Sequence, residues 1–208
     1  MMKKLGILHV SDIHIDASSI TEVDIIVEKL LKDIKKVESE NDIQIDLICF
    51  AGDLIGRGEW ALENENQITL AEEHFIKPLL SATELTTEEF ILIPGNHEVD
   101  KTKIAKMTEN GLVALSSLKD INETIFEMED EYKRRLQYFY DYMYKNYVKG
   151  AETWNLGYSL IKNINGINVG IAGLDSAWRS TGAGWKERGH LLVGEHQVGV
   201  LYNNIKDA

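Results

Sequence analysis

Three short polar blocks decide the fold, each placed directly after an apolar run: Asp12-Ile13-His14, Gly52-Asp53 and Gly95-Asn96-His97-Glu98. The three apolar runs that precede them are Leu5–Val10, Asp46–Ala51 and Phe90–Ile93. We expect all three runs to be buried strands, because each is short, apolar and followed by turn-forming or polar residues.

Two helices are predicted between these strands. The apolar residues of Val23–Val37 recur at helical spacing between the first and second runs. Ile68–Leu80 predicts a helix between the second and third runs, with Pro78 tolerated only near a helix end. Strands that alternate with helices favour an α/β fold, in which parallel strands have helices packed on a face.

The second half of the chain predicts a helical segment, a hairpin and a last helix. Ala114–Val148 is mostly helical in pattern, and Glu195–Ile205 is a short final helix. Asn165-Gly166 joins the apolar runs Leu156–Ile164 and Ile167–Gly173, which is a strong hairpin signal. We find neither repeats nor a linker, so residues 1–208 are interpreted as a single domain.

Composition narrows the class of protein. The 208 residues are 44% hydrophobic and 27% charged, which is typical of a globular chain and excludes wholesale disorder. The longest apolar runs fall short of the roughly 18 residues of a membrane helix. A net charge of −12 gives no support for nucleic-acid binding, which would need a basic groove. The lone Cys49 in an apolar run indicates a buried thiol in a reducing compartment, so we expect a cytoplasmic protein.

The chemistry of the three blocks points to metal. The carboxyl ends of parallel strands meet at one edge of a sheet, so Asp12, His14, Asp53, Asn96 and His97 are expected to converge there. Carboxylate, imidazole and amide ligands suit Mn, Fe or Zn, of which Mn is our first choice. Asp53 could bridge two ions, and such a pair can clamp a phosphate and activate water.

One residue in these blocks and one residue beyond them are candidates for contact with a phosphate. His97 could hydrogen-bond the phosphate or protonate the leaving oxygen. Arg57, between Gly56 and Gly58, could also contact it, although a solvent-facing loop arginine explains that residue equally well.

The three blocks resemble the D-x-H, G-D and G-N-H-[DE] motifs of the calcineurin-like metallophosphoesterases, and the resemblance extends over the whole chain. It implies a two-sheet β-sandwich flanked by helices and hydrolysis of a phosphomonoester or phosphodiester with two metal ions. Asp12, His14 and Asp53 would hold the first ion. Asp53 and Asn96 would hold the second, with Asp53 bridging. His97 would contact the phosphate and act as the acid, and Asn96 would also lie against the substrate.

One feature departs from that family. Later histidine motifs, H-H-P and G-H-x-H, are missing, and Gly189-His190-Leu191-Leu192 lacks the second histidine. We expect His190 and His196 to be structural. The sandwich is therefore expected to be incomplete at its C-terminus, as a fragment or as a chain completed by a partner or a second copy. An alternative function follows, which is a non-catalytic scaffold or regulatory module with a degraded or partner-completed site.

Overall fold

Two three-stranded sheets organise the computed structural model, which describes residues 4–56, 64–107, 117–127, 129–154, 156–181 and 191–208. The first sheet has the order β1 (Ile7–Val10), β2 (Leu47–Phe50) and β3 (Phe90–Leu92), and all of its strands are parallel. Ile7 lies opposite Leu47, and Ile48 lies opposite Phe90. The predicted α/β arrangement is confirmed, and the carboxyl ends of all three strands lie at one edge.

Helices connect these strands as the sequence predicts. Helix α1 (Ile20–Asn41) follows β1, and α2 (Asn64–Ala71), a π-helical turn (Glu72–Ile76) and α3 (Lys77–Thr83) follow β2. Pro78 lies in the first turn of α3, directly after the π-helical turn. Because proline has no N–H to donate to the carbonyl one turn earlier, a widened turn ahead of it lets the helix continue.

Burial differs among the three parallel strands. Most side chains of β2 and all those of β3 are buried, as predicted. The prediction of a buried first strand is wrong, because no side chain of β1 is fully buried. Ile7 is 52% exposed, His9 is exposed, and the other two side chains are half-buried. The reason is the strand's place at the end of the sheet order, where β2 is its neighbour on one side. His9 therefore is not the packed histidine that its place inside an apolar run suggests.

The second sheet is antiparallel and contains β4 (Glu152–Trp154), β5 (Gly157–Ile164) and β6 (Ile167–Leu174). The predicted hairpin joins β5 to β6, and both of its turn residues have positive φ, 52° at Asn165 and 73° at Gly166. Positive φ at both central positions is the conformation that Asn-Gly favours in a two-residue hairpin turn.

In the described residues after β3, four further α-helices occur: α4 (Leu118–Glu127), α5 (Glu129–Phe139), α6 (Lys145–Tyr147) and α7 (Glu195–Ile205). A second π-helical turn (Tyr140–Tyr144) joins α5 to α6, and α7 packs on β5 and β6. The predicted final helix is confirmed. In the part of the chain that the structure describes, no helix is both long and apolar enough to cross a bilayer.

One hydrophobic core joins the two sheets. Its aromatic members include Phe50, Phe75, Phe90 and Tyr158. Tyr158, which lies in β5 and is fully buried, donates a hydrogen bond of 2.9 Å to the carbonyl of Leu92 in β3. This contact satisfies the buried hydroxyl, as a buried polar group requires, and holds the two-sheet arrangement together.

Candidate metal centre

The candidate site lies in the loops that leave the three parallel strands. Asp12 and His14 follow β1, Asp53 follows β2, and Asn96 and His97 begin a 3₁₀ turn (Asn96–Glu98) after β3. All five residues therefore lie at the edge of the sheet that the sequence predicts for them.

The backbone of this edge is strained and is held by neighbouring loops. Asp12, His14 and Asp53 all adopt left-handed conformations, with φ of 60°, 51° and 59°. Such values are uncommon outside glycine and cluster at functional sites. The Asp12 N–H donates to the Gly52 carbonyl, and the His14 N–H donates to that of Asp53, both at 3.0 Å. These bonds fix the register of the first loop on the second.

Two glycines let the second and third loops approach closely. A Cβ at Gly95 would lie 2.1 Å from Oδ1 of Asp53, and a Cβ at Gly52 would lie 2.6 Å from the Gly95 nitrogen. Gly52 also has a φ of 96°, a value that other residues rarely adopt. The glycine in each of these two blocks is therefore required by the packing of Asp53 between the loops.

Three candidate side chains converge at this edge. One ligand atom each from His14, Asp53 and His97 lies within 4.8 Å of the others. His14 Nε2 is 3.9 Å from Asp53 Oδ2 and 3.8 Å from Asp12 Oδ1. These separations are too long for hydrogen bonds but fit ligands that each lie about 2.1 Å from one shared ion.

Exposure differs across the cluster. The Asp53 side chain is 13% exposed, that of His14 is 39% exposed and that of Asp12 is 65% exposed. Asn96 is half-buried at the start of its turn. Asp53 is therefore the least exposed of these three side chains, and the site is open to solvent on the side of Asp12.

The two imidazoles have nitrogens that fit an electrophilic partner. His14 Nδ1 is buried and has no hydrogen-bond partner among the described residues. His97 Nδ1 lies 2.8 Å from the Gly56 carbonyl. Because a carbonyl only accepts, that nitrogen carries the proton. The lone pair of Nε2 can then bind a metal ion, and Nε2 can donate to a phosphate oxygen when the ring carries a second proton. Two carboxylates with two imidazoles suit a divalent cation such as Mn, Fe or Zn.

Two buried carboxyl groups lie behind this cluster. Glu98 is 1% exposed, and burial together with the nearby charge of Asp53 raises its pKa to about 7. The second is Asp175, which the sequence did not single out. It is fully buried, and burial raises its pKa to about 7. Asp175 accepts from the Tyr140 hydroxyl and from the Ala177 N–H. Its place directly after β6 is the same signal that identified Asp53.

Asp175 and Glu98 are linked by packing. The turn that follows Asp175 (Ala177–Arg179) packs against the turn Asn96–Glu98. Trp178 in that turn is fully buried, so its role is to pack in the protein interior. The second sheet therefore supports the candidate centre from behind.

Among the described residues, the group that could hold a metal ion contains no further histidine. Arg57 and His190 lie outside the described residues. His196 is exposed on α7, and His74 pairs with Asp24 at 2.8 Å, a contact between α1 and the first π-helical turn.

A comparison with protein families gives one match. The family model described as calcineurin-like phosphoesterase matches residues 5–191, a range that contains all the candidate ligands. Neither the search of curated proteins nor that of solved structures returned a match.

Proposed function

The chain belongs to the calcineurin-like phosphoesterase family, and from that premise we propose that it hydrolyses a phosphomonoester or a phosphodiester with two divalent metal ions. The observation that carries this proposal is the convergence of His14, Asp53 and His97 within 4.8 Å at the carboxyl edge of the parallel sheet. Family membership supports a phosphoesterase in general, and the geometry supports the finer assignment of residues.

The proposed metal ligands are those that the family resemblance implies, and two side-chain distances support the first set. Asp12, His14 and Asp53 would hold the first ion, because His14 Nε2 lies between the two carboxylates. Asp53 and Asn96 would hold the second, and Asp53 is the bridging ligand. Bound metal supplies charge that polarises a phosphoryl oxygen and lowers the pKa of water. We propose Mn²⁺ as the native ion.

His97 would bind the phosphate and act as the general acid. Its Nδ1–H is held by the Gly56 carbonyl, which fixes the orientation of the ring. When the ring carries a second proton, on Nε2, it can donate to a phosphate oxygen or pass that proton to the leaving oxygen. The same position also lets His97 act as a ligand, so metal content has to be measured when it is replaced.

Substrate contacts would come from two further side chains. Asn96 directly precedes His97, and its side-chain amide could donate to phosphate while its oxygen would hold a metal ion. Arg57 follows Gly56 directly in the sequence and would pair with a phosphate oxygen. The half-buried Cys49, whose thiol pKa is raised by burial, fits a reducing compartment, and we propose that the protein acts in the cytoplasm.

A second candidate is a non-catalytic scaffold or regulatory module that keeps the fold and a weak metal site. It is favoured by the small donor set, since two imidazoles and one carboxylate are what the described residues gather within 4.8 Å. A partner chain or second copy would then complete the site.

Hydrolysis of two chromogenic probes separates these candidates. We expect p-nitrophenyl phosphate or bis-p-nitrophenyl phosphate to be hydrolysed when Mn²⁺ is present and not when it is chelated. Asp53→Asn should abolish the activity, whereas Asp24→Asn, which removes a carboxylate from α1, should leave it unchanged. Metal binding with neither probe hydrolysed would favour the scaffold.

A further inference from the structure

The Glu98 carboxylate accepts hydrogen bonds from four main-chain N–H groups. Its Oε2 accepts from the N–H of Asp53 at 2.9 Å and from that of Gly95 at 2.6 Å. Its Oε1 accepts from the N–H groups of Leu54 at 2.8 Å and Ile55 at 3.1 Å. Four N–H groups from two loops therefore converge on one carboxylate that is 1% exposed.

The need for such an acceptor follows from where the strands end. The pairing of β2 with β3 ends at Phe50 and Leu92. Beyond it, the carbonyls of Asp53 and Leu54 accept from the first loop. Their N–H groups point to the opposite side, where β3 has ended. A buried N–H without a partner is costly, and a carboxylate is the strongest acceptor that can serve several at once.

We infer that Glu98 is the positioning residue of the metal centre, a clamp that fixes the loop carrying Asp53 against the turn carrying Asn96 and His97. This inference rests on the proposed function. Glu98 does not touch the substrate or an ion in this role. It sets the distance between Asp53 and the ligands of the third loop before any metal arrives.

The geometry explains why glutamine cannot substitute for Glu98. A glutamine keeps the length of the side chain but has one oxygen, which can serve two of the four N–H groups. Its amide NH₂ group would face the other two donors, so Asp53 and Gly95, or Leu54 and Ile55, would lose their acceptor. The strained left-handed conformation at Asp53 would then no longer be held from this side.

The test measures the binding of Co²⁺ and Mn²⁺ to Glu98→Gln by calorimetry. The visible absorption spectrum of bound Co²⁺ reports the geometry of its ligands. Residues that orient metal ligands typically contribute 10- to 100-fold to affinity. We expect a loss of that size in Glu98→Gln, with a changed Co²⁺ spectrum. A merely structural residue would lower the melting temperature without altering the spectrum of the bound ion.

Two control variants separate positioning from charge and from stability. Glu89→Gln removes the same charge from a carboxylate that accepts from the Thr86 N–H at 3.0 Å, ahead of β3. Leu79→Ala destabilises through a fully buried side chain of α3, a helix that carries no candidate ligand. Both should keep the metal affinity and Co²⁺ spectrum of the unsubstituted chain.

Amide hydrogen exchange on the unsubstituted chain covers the case in which Glu98→Gln does not fold. We expect slow exchange at Asp53, Leu54, Ile55 and Gly95 before metal is added. Fast exchange at these four amides would overturn the clamp, as would unchanged affinity in Glu98→Gln. If these amides exchange slowly but the chain binds no metal, the hydrogen bonds of Glu98 hold the two loops together for structural reasons only. That result would refute both the proposed function and the positioning role.

Discussion

The carboxylate of Asp53 accepts a hydrogen bond of 3.0 Å from the main-chain N–H of His97. Asp53 Oδ1 makes this bond, whereas Oδ2 faces His14 Nε2 at 3.9 Å. One carboxylate thus links the loop after β2 to the turn after β3 and also faces the first loop. The position suits a bridging ligand, because it is the place where all three loops meet.

Asp53→Asn should cost more bound metal than any other single replacement of a candidate ligand. The amide oxygen can still accept from the His97 N–H, so the change removes the shared charge and little else. Asp12→Asn is the matched variant, at a side chain that is 65% exposed. Metal content after dialysis measures both, and an equal or greater loss in Asp12→Asn would count against bridging by Asp53.

His97→Gln should lower turnover by about 10²- to 10⁴-fold, the usual value of general acid–base help. Metal content should stay nearly unchanged, because the proposal places His97 at the phosphate and not among the ligands. The two quantities are measured on the same preparation. Loss of metal in parallel with turnover would instead make His97 a ligand of the His14–Asp53 cluster.

Gly95→Ala should displace the Asp53 carboxylate, since the new Cβ would lie 2.1 Å from Oδ1. Overpacking of this kind costs about 1–3 kcal/mol in the free energy of unfolding, and we expect metal binding to weaken with it. Gly199→Ala is the control, because a Cβ there, in the middle of α7, has no described neighbour within 4 Å. That variant should be stabilised by about 0.5–1 kcal/mol. Urea unfolding measures the free energy of unfolding of both variants. A Gly95→Ala variant as stable as the unsubstituted chain would contradict the close packing of the two loops.

The contribution of Asp175 to the stability of the metal-free chain should fall as pH rises from about 4 to about 7. Burial raises the pKa of Asp175 from 3.8 to about 7, so the folded state keeps a proton that the unfolded chain loses in that window. The contribution of Asp175 is present below about pH 4 and is lost by about pH 7.

Asp175→Asn tests this, because its amide resembles the protonated acid and can keep the bonds to Ala177 and Trp178. The contribution it removes is on the order of a few kcal/mol, at about 1.4 kcal/mol for each pKa unit. Urea unfolding across the window should therefore show a shallower pH dependence in Asp175→Asn than in the unsubstituted chain. Identical slopes would show that Asp175 titrates normally in the folded state.

The sequence predicts what depends on local pattern. The parallel strands were predictable because each apolar run ends in a polar block, and the hairpin because Asn165-Gly166 favours positive φ at both residues. The convergence of Asp53 with His14 follows from strand polarity alone. Family resemblance supplied the two-sheet arrangement.

What the sequence could not predict depends on contacts between distant loops. The bonds from Asp53, Leu54 and Ile55 to Glu98 span more than 40 residues and require left-handed backbone at Asp53. The exposure of Ile7 also escaped prediction, because an apolar run does not reveal which strand lies at the end of a sheet. The roles of Arg57 and His190 and the completeness of the domain stay predictions.

The central claim is that the three loops assemble a metal centre at the edge of the parallel sheet. The most direct test of this claim is a titration of the unsubstituted chain and of Asp53→Asn with Mn²⁺, monitored by electron paramagnetic resonance. We expect the unsubstituted chain to bind Mn²⁺ saturably and to show spin coupling between two ions when both positions are filled. We expect Asp53→Asn to lose both the binding and the coupling. Binding that is absent, or that is identical in the two proteins, would contradict it.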